Sequence, residues 1–225
     1  MVDYILKRSR RKTVALHVTK DARLEVRAPY HLPKKEIDNI VSTKERWINE
    51  HLQKRILINM KKSSFSLNYG DSILLMGKEY VIEEVDGDRI RYDNRSFKVP
   101  SGLSSDLIKQ NIIRLYKTIA ENVLTEKTAL FMEQMNVEAS AVKINSAKTR
   151  WGSCSSQKSI NYSWRLIMAS DDIIDYVVVH ELAHIIEPNH SDRFWSIVEE
   201  IIPDYRERHF ELGQLQERIS AEDWD

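Results

Sequence analysis

Three stretches near the start of the chain alternate apolar and polar residues with the two-residue period of a half-buried strand. They are residues 4–8, 13–19 and 23–29, most clearly Thr13-Val14-Ala15-Leu16-His17-Val18. Lys20-Asp21-Ala22 offers a tight turn between the last two, so the set predicts a small antiparallel sheet. The period then lengthens. Pro33 at a first helical position, followed by Ile37, Ile40, Val41, Trp47, Ile48 and Leu52, predicts an amphipathic helix over about 34–57 with Trp47 in the core. Residues 65–100 return to short strand-like runs, separated by the turn chemistry of Tyr69-Gly70-Asp71, Met76-Gly77-Lys78, Asp86-Gly87-Asp88 and Asp93-Asn94. Pro100-Ser101-Gly102 breaks the pattern and predicts a boundary between a β-rich N-terminal region, 1–102, and a second domain, 103–225.

From Asp106 to about Met135 the apolar residues recur at helical spacing, which predicts a helix on the order of 45 Å long. Strand-like pieces follow at 141–144, 149–154 and 159–164. Ile173, Ile174, Val177, Val178, Leu182 and Ile185 then describe a buried helix, started by Ser170 and Asp171 and stopped by Pro188. Ser191 can cap a short helix containing Phe194, Trp195, Ile197 and Val198, and Pro203 opens a last helix to about Ile219.

The buried helix carries the chemistry. His180 and His184, four apart, lie on one face, and Glu181 lies beside that face. Three polar side chains on an otherwise apolar helix are costly unless something compensates them, and a bound cation compensates all three. The spacing His-Glu-x-x-His is the zinc-peptidase signature: two imidazoles on zinc, and a glutamate acting as general base on the zinc-activated water. Catalytic zinc takes a third protein ligand. His190 is the candidate, because Pro188 and Asn189 can turn the chain back toward the helix; Glu187 and Asp192 are acidic alternatives. Around this centre, Arg165, Tyr162, Tyr205 and His209 are candidates for stabilising an oxyanion. Residues 149–154 are a candidate edge strand for an extended peptide, with Trp151 as a flat wall and Gly152 giving room for close backbone approach. Cys154 reads as a small apolar side chain, and Asp175, off the ligand face, as a surface or capping residue.

Composition changes this picture little. The 225 residues are 42% hydrophobic and 30% charged, as in soluble globular proteins. The absence of a leader-like apolar run and of any membrane-length apolar stretch predicts a cytoplasmic protein with no membrane partner, and a single cysteine suits a reducing compartment. Charge is more informative. Residues 1–62 hold 16 Lys+Arg against 7 Asp+Glu, giving +9, and the remainder 18 against 27, giving −9. Either the two surfaces neutralise each other within the fold, or the basic segment meets an acidic partner such as nucleic acid, nucleotide or acidic peptide. The run Arg8-Ser9-Arg10-Arg11-Lys12 falls in a predicted connection, as a solvated loop or an anion contact.

Several strings resemble the YgjP-like metallopeptidase family, formerly a domain of unknown function. They are Lys148-Thr149-Arg150-Trp151-Gly152-Ser153-Cys154, the segment Asn161 to Leu166, and Asp175 to His184 followed by Pro188 to Trp195. Arg8 to Thr13, Leu24 to Pro29 and Lys44 to Ile48 resemble its leading region. The long helix, strand set and metal helix are also similar to SprT-like proteases and other zincins. Position 187 is Glu where metzincins carry Gly, so the shorter zincin architecture is expected. The resemblance implies an α+β, zincin-like metallopeptidase domain with a long helix, a small sheet, the metal helix and C-terminal helices, preceded by a β-rich part. It implies His180, His184 and His190 as zinc ligands, Glu181 as base and a peptide or protein as substrate. Two alternatives stay open: a metal-dependent UTP pyrophosphatase, which the same resemblance suggests, and a nucleic-acid-associated protease tethered by the basic segment. The first would lack both a GxxxxGK[ST] loop and a dense carboxylate cluster for magnesium.

Overall fold

The alternating runs at the start form strands β1 (Tyr4–Ser9), β2 (Ala15–Val18) and β3 (Leu24–Pro29), but β1 and β2 do not pair with each other. The sheet order is β1-β3-β2, so β1 runs parallel to β3 while β2 is antiparallel to it; the expected all-antiparallel sheet is corrected by β3 inserting between the other two. The structure, a computed structural model, describes residues 2–224. The helix expected over 34–57 is two helices, α1 (Lys34–Thr43) and α2 (Glu45–Ser63), broken at Lys44. No proline or glycine causes the break. Ile37, Val41 and Ile48, which lie on one face at helical spacing, all reach the core formed with Leu24, Val26 and Ala28. Trp47, expected in that core, is 39% exposed and stacks on His51, one turn along, with ring centroids 4.0 Å apart.

The chain gathers into two compact units, one up to Phe65 joined by Ser220–Asp223, the other Ser66–Ile219 joined by Trp224. The boundary anticipated at Pro100-Ser101-Gly102 lies within the larger unit. Strands β4 (Ser72–Leu75), β5 (Lys78–Val85), β6 (Arg91–Tyr92) and β7 (Ser96–Pro100) form a sheet of order β4-β5-β7-β6. Its first turn is tied to the segment leading into the metal helix: the Met76 and Gly77 amides donate to the Ile167 and Met168 carbonyls at 2.8 and 3.2 Å. Gly77 has φ 72°, and a Cβ there would lie 2.9 Å from Ser170 Cα, so both backbone sign and space call for glycine.

Helix α3 (Ser105–Met135) begins where its pattern predicts, with the Ser104 hydroxyl accepting from the Leu107 amide, and ends at Asn136 in the left-handed region. Its buried stripe Ile108, Ile112, Tyr116, Ala120, Leu124 and Phe131 backs the remaining elements. These are β8 (Ala141–Asn145), β9 (Gly152–Cys154), β10 (Ser159–Ser163), a buried 3-10 turn (Trp164–Met168), α4 (Asp171–Ile186), α5 (Asp192–Ile201) and α6 (Tyr205–Ser220). The sheet order β8-β10-β9 leaves β9 at an edge. With six α-helices and three small sheets among the described residues, the fold is α+β. No helix among them is long and apolar enough to cross a membrane.

Candidate metal centre

Helix α4 is apolar on nearly all sides, with Ile174, Val178, Leu182 and Ala183 fully buried, so it is held from more than one direction. Each such aliphatic side chain contributes about 1.5–3 kcal/mol, which fixes the helix before any ion is considered. Asp175, expected at the surface or in a cap, is instead an anchor: Lys127 of α3 reaches it at 2.6 Å and Asp171 at 2.9 Å. Ser170 occupies the N-cap position without a side-chain bond, leaving the acids of the first turn to favour the helix start.

On this scaffold His180 and His184 share a face, and the turn at Pro188 and Asn189 returns His190 to them. One nitrogen from each of the three rings lies within 4.8 Å of the other two, the one group of three or more such side chains among the described residues. His190 thus completes the cluster; Glu187 instead meets the Asn189 amide through its carboxylate, and Asp192 opens α5. The Nε2 atoms of His180 and His190 face each other at 3.1 Å. Burial, then the neighbouring His184, His190 and His209, holds the His180 imidazole down at about 3, so it is neutral and offers a lone pair. His184 Nδ1 lies 3.3 Å from the Glu187 carbonyl, which can only accept, so this bond fixes the tautomer and leaves Nε2 free. Three converging imidazoles, with burial lowering the pKa values of His180 and His184, fit a borderline-soft divalent cation. Phe194, fully buried, touches all three rings at centroid distances of 4.9, 4.5 and 4.8 Å, and His190 stacks on Trp195, itself stacked on Tyr205. Sequence reasoning placed Phe194 and Trp195 only in an apolar stripe; their spacing of four and five from His190 is the signal that links them to the site.

Glu181 points into the same cleft, which holds about 590 Å³ and is lined on the other side by β9 and the turn after it, from Gly152 to Ser156 and Lys158. Glu181 is only 6% exposed, and burial pushes its carboxyl up to about 7 against the opposing pull of Arg150 and of the Cys154 backbone amide that donates to it. Gly152 is what lets β9 come so close. A Cβ at that position would lie 2.5, 2.6 and 2.7 Å from Oε1, Cγ and Cδ of Glu181. The space expected there for substrate backbone is filled by the glutamate. Sequence spacing gave no sign of this contact, because 29 residues separate the partners.

The remaining candidates are dispersed. Trp151 precedes β9, half-buried, and its carbonyl accepts from the Ser163 amide. Tyr162 is fully buried with its hydroxyl 3.2 Å from that of Thr128, and burial raises its pKa. Arg165, 6% exposed, lies over the Trp164 ring and donates to the Ser146 and Trp224 carbonyls. Tyr162 and Arg165 are therefore core residues and not part of the cleft lining, and neither Tyr205 nor His209, which meets the Tyr176 hydroxyl at 3.0 Å, lines it either. Cys154 does line the cleft, and burial followed by Glu181 raises its thiol pKa.

Residues 12–215 match the YgjP-like metallopeptidase domain. The chain belongs to that family. As a YgjP-like protein it is a metal-dependent, peptidase-like hydrolase, in agreement with the fold and the histidine cluster. No protein of curated function is significantly similar to it. Among solved structures, the metallopeptidase zymogen abylysin of Pyrococcus abyssi is similar at 21% identity and a TM-score of 0.35, over 41% of this chain and 90% of that one. The zymogen jannalysin of Methanocaldococcus jannaschii is similar at 19% identity and a TM-score of 0.36, over 42% and 94%. Both are distant likenesses.

Proposed function

We propose that this YgjP-like protein is a zinc peptidase in which His180, His184 and His190 hold the ion and Glu181 is the general base. The observation that carries the reading is the position of the Glu181 carboxylate, buried in the same cleft as the three clustered imidazoles. Zinc suits that donor set, and when bound it supplies Lewis acidity toward water and toward a substrate carbonyl. Glu181 accepts a proton from the attacking water and returns it to the leaving amine. A carboxyl whose pKa burial has raised toward neutrality is matched to both halves of that transfer. The Cys154 amide keeps the carboxylate oriented, while the Gly152 backbone blocks its retreat from the cleft. The free side of edge strand β9 suits an extended peptide laid along the cleft. A triphosphate hydrolase is less well supported, since among the described residues Glu181 is the only carboxylate in the cleft lining and a magnesium nucleotide requires more.

Glu181→Gln tests the reading. The variant is expected to retain one equivalent of metal and to lose about 10²–10⁴-fold of its peptide hydrolysis. Unchanged cleavage by metal-loaded Glu181→Gln would rule out the proposed base.

A further inference from the structure

The order of the N-terminal sheet gathers cations at one end. Because β1 and β2 flank β3, the connection 10–14 must cross the C-terminal end of β3. The parallel register ends at Arg8↔Ala28 and Ser9↔Pro29, so Arg10 and Tyr30 each follow directly at the same end of the sheet. Arg8 is consumed in building this end: its guanidinium donates to the carbonyls of Pro29, Tyr30 and Leu32 at 2.8, 2.9 and 2.8 Å, folding that loop in against β1. Arg11 donates to the Thr13 carbonyl, which stiffens the crossing loop. The cations left facing outward are Arg10, Lys12, Lys34 and Lys35, none of which makes an ion pair among the described residues.

Two further features single this end out. Lys34 and Lys35 occupy the first turn of α1, where the helix dipole favours acids, and Glu36 is the one acid there. Uncompensated positive charge is therefore concentrated at the β1–β2 crossing and the α1 start, which lies only four residues after Tyr30. Asp3 and Asp21 lie at the other end of the sheet, Glu25 is paired with Lys7 and Arg27, and Asp38 accepts from the Tyr4 hydroxyl. At the same sheet end, directly after β3 and four residues before α1, stands Tyr30, 65% exposed, a ring the fold does not use. No other large apolar side chain of this end is exposed, which suits stacking on a base better than insertion into a bilayer.

We propose that this end of the N-terminal sheet binds single-stranded nucleic acid, with Arg10, Lys12, Lys34 and Lys35 on phosphates and Tyr30 stacked on an unpaired base. A duplex keeps its bases paired and offers the ring no partner. The inference is independent of the peptidase reading, and its test leaves the cleft untouched.

The test is fluorescence anisotropy of the full chain with a labelled 20-nucleotide oligothymidylate and a duplex of equal length, between 50 and 300 mM salt. Tighter binding of the single strand is expected, with a slope of log affinity against log salt of about −2 to −3 for three to four phosphates. The double variant Arg10→Glu, Lys12→Glu should weaken binding at least tenfold and flatten the slope. Tyr30→Ala should weaken it about tenfold, with Tyr30→Phe restoring it. Circular dichroism and hydrolysis of a short neutral peptide should be the same in all these variants, because the substituted side chains are exposed. Absence of binding at 50 mM salt, or equal binding by the charge-reversed variant, would overturn the proposal. So would equal binding by Tyr30→Ala together with comparable affinity for phosphatidylglycerol vesicles, which would assign the surface to a membrane.

Discussion

One wall of the cleft is helix α4 with the turn that follows it; the other is the three-residue edge strand β9. The helix wall contributes side chains. Its histidines are four apart on a helix locked by aliphatic burial, and His190 returns to them within a few residues, backed by Phe194 and Trp195. The strand wall contributes backbone: the Cys154 amide bonded to Glu181 and the bare α-carbon of Gly152 packed against it. The contrast teaches that the two halves of one site can be specified in different ways. A cluster of imidazoles needs particular side chains at particular spacings, whereas placing the Glu181 carboxylate needs only a backbone donor and the absence of a methyl group.

That contrast is sharpest in substitutions on the two walls. On the helix wall, His184→Ala should remove the metal and reduce hydrolysis to background, a loss larger than that of Glu181→Gln, with metal content of the purified variant as the measurement. On the strand wall, Gly152→Ala should leave metal content unchanged. The new methyl would have to displace the end of the Glu181 side chain, and a displacement of that kind costs about 10–100-fold in kcat. If Gly152→Ala lost metal along with activity, the two walls would not be separable in the way described. Away from both walls, Lys127→Met should cost about 2 kcal/mol in urea denaturation, because Asp175 keeps a half-buried charge without its partner, while kcat of the folded enzyme stays the same.

The smallest effect expected concerns pH in the metal-free protein. The His180 pKa is depressed to about 3 in the folded state, so the unfolded chain binds the extra proton below 6.5, and this residue makes stability fall as pH drops from 6.5 toward 3. Glu181 acts in the opposite sense. Its pKa is raised from 4.5 to about 7, so the folded state holds the extra proton and stability falls as pH rises through that window. Between pH 4.5 and 6.5 the two oppose each other. Metal-free Glu181→Gln should therefore reveal an acid destabilisation of up to about 1.4 kcal/mol per pH unit that the parent protein conceals, read from urea midpoints at pH 5 and 6.5.

Where the structure departs from the sequence reading, tertiary pairing is the cause. The antiparallel reading of the first sheet failed because alternation of apolar residues tells which face is buried and not which strands are neighbours. Trp47, expected in the core, lies at the flank of the face that Ile37, Val41 and Ile48 share, and there it stays 39% exposed while Ile48 is buried. Tyr162 and Arg165 carry groups suited to catalysis, yet each finds its hydrogen-bond partners inside the protein. Residue type gives no means of separating a buried polar group that serves the fold from one that serves a substrate.

The sequence alone determined the features that repeat along one helix or close within one turn. It set the span of α3, the burial of α4, the facing of His180 and His184, and the return of His190 after Pro188, because local backbone geometry converts spacing directly into direction. Only the tertiary structure decided what stands opposite. It brought Gly152 and Cys154 to Glu181, Lys127 to Asp175, and Arg10 to the same sheet end as Tyr30. Those contacts depend on which strands and helices become neighbours, a matter settled by the packing of the whole chain.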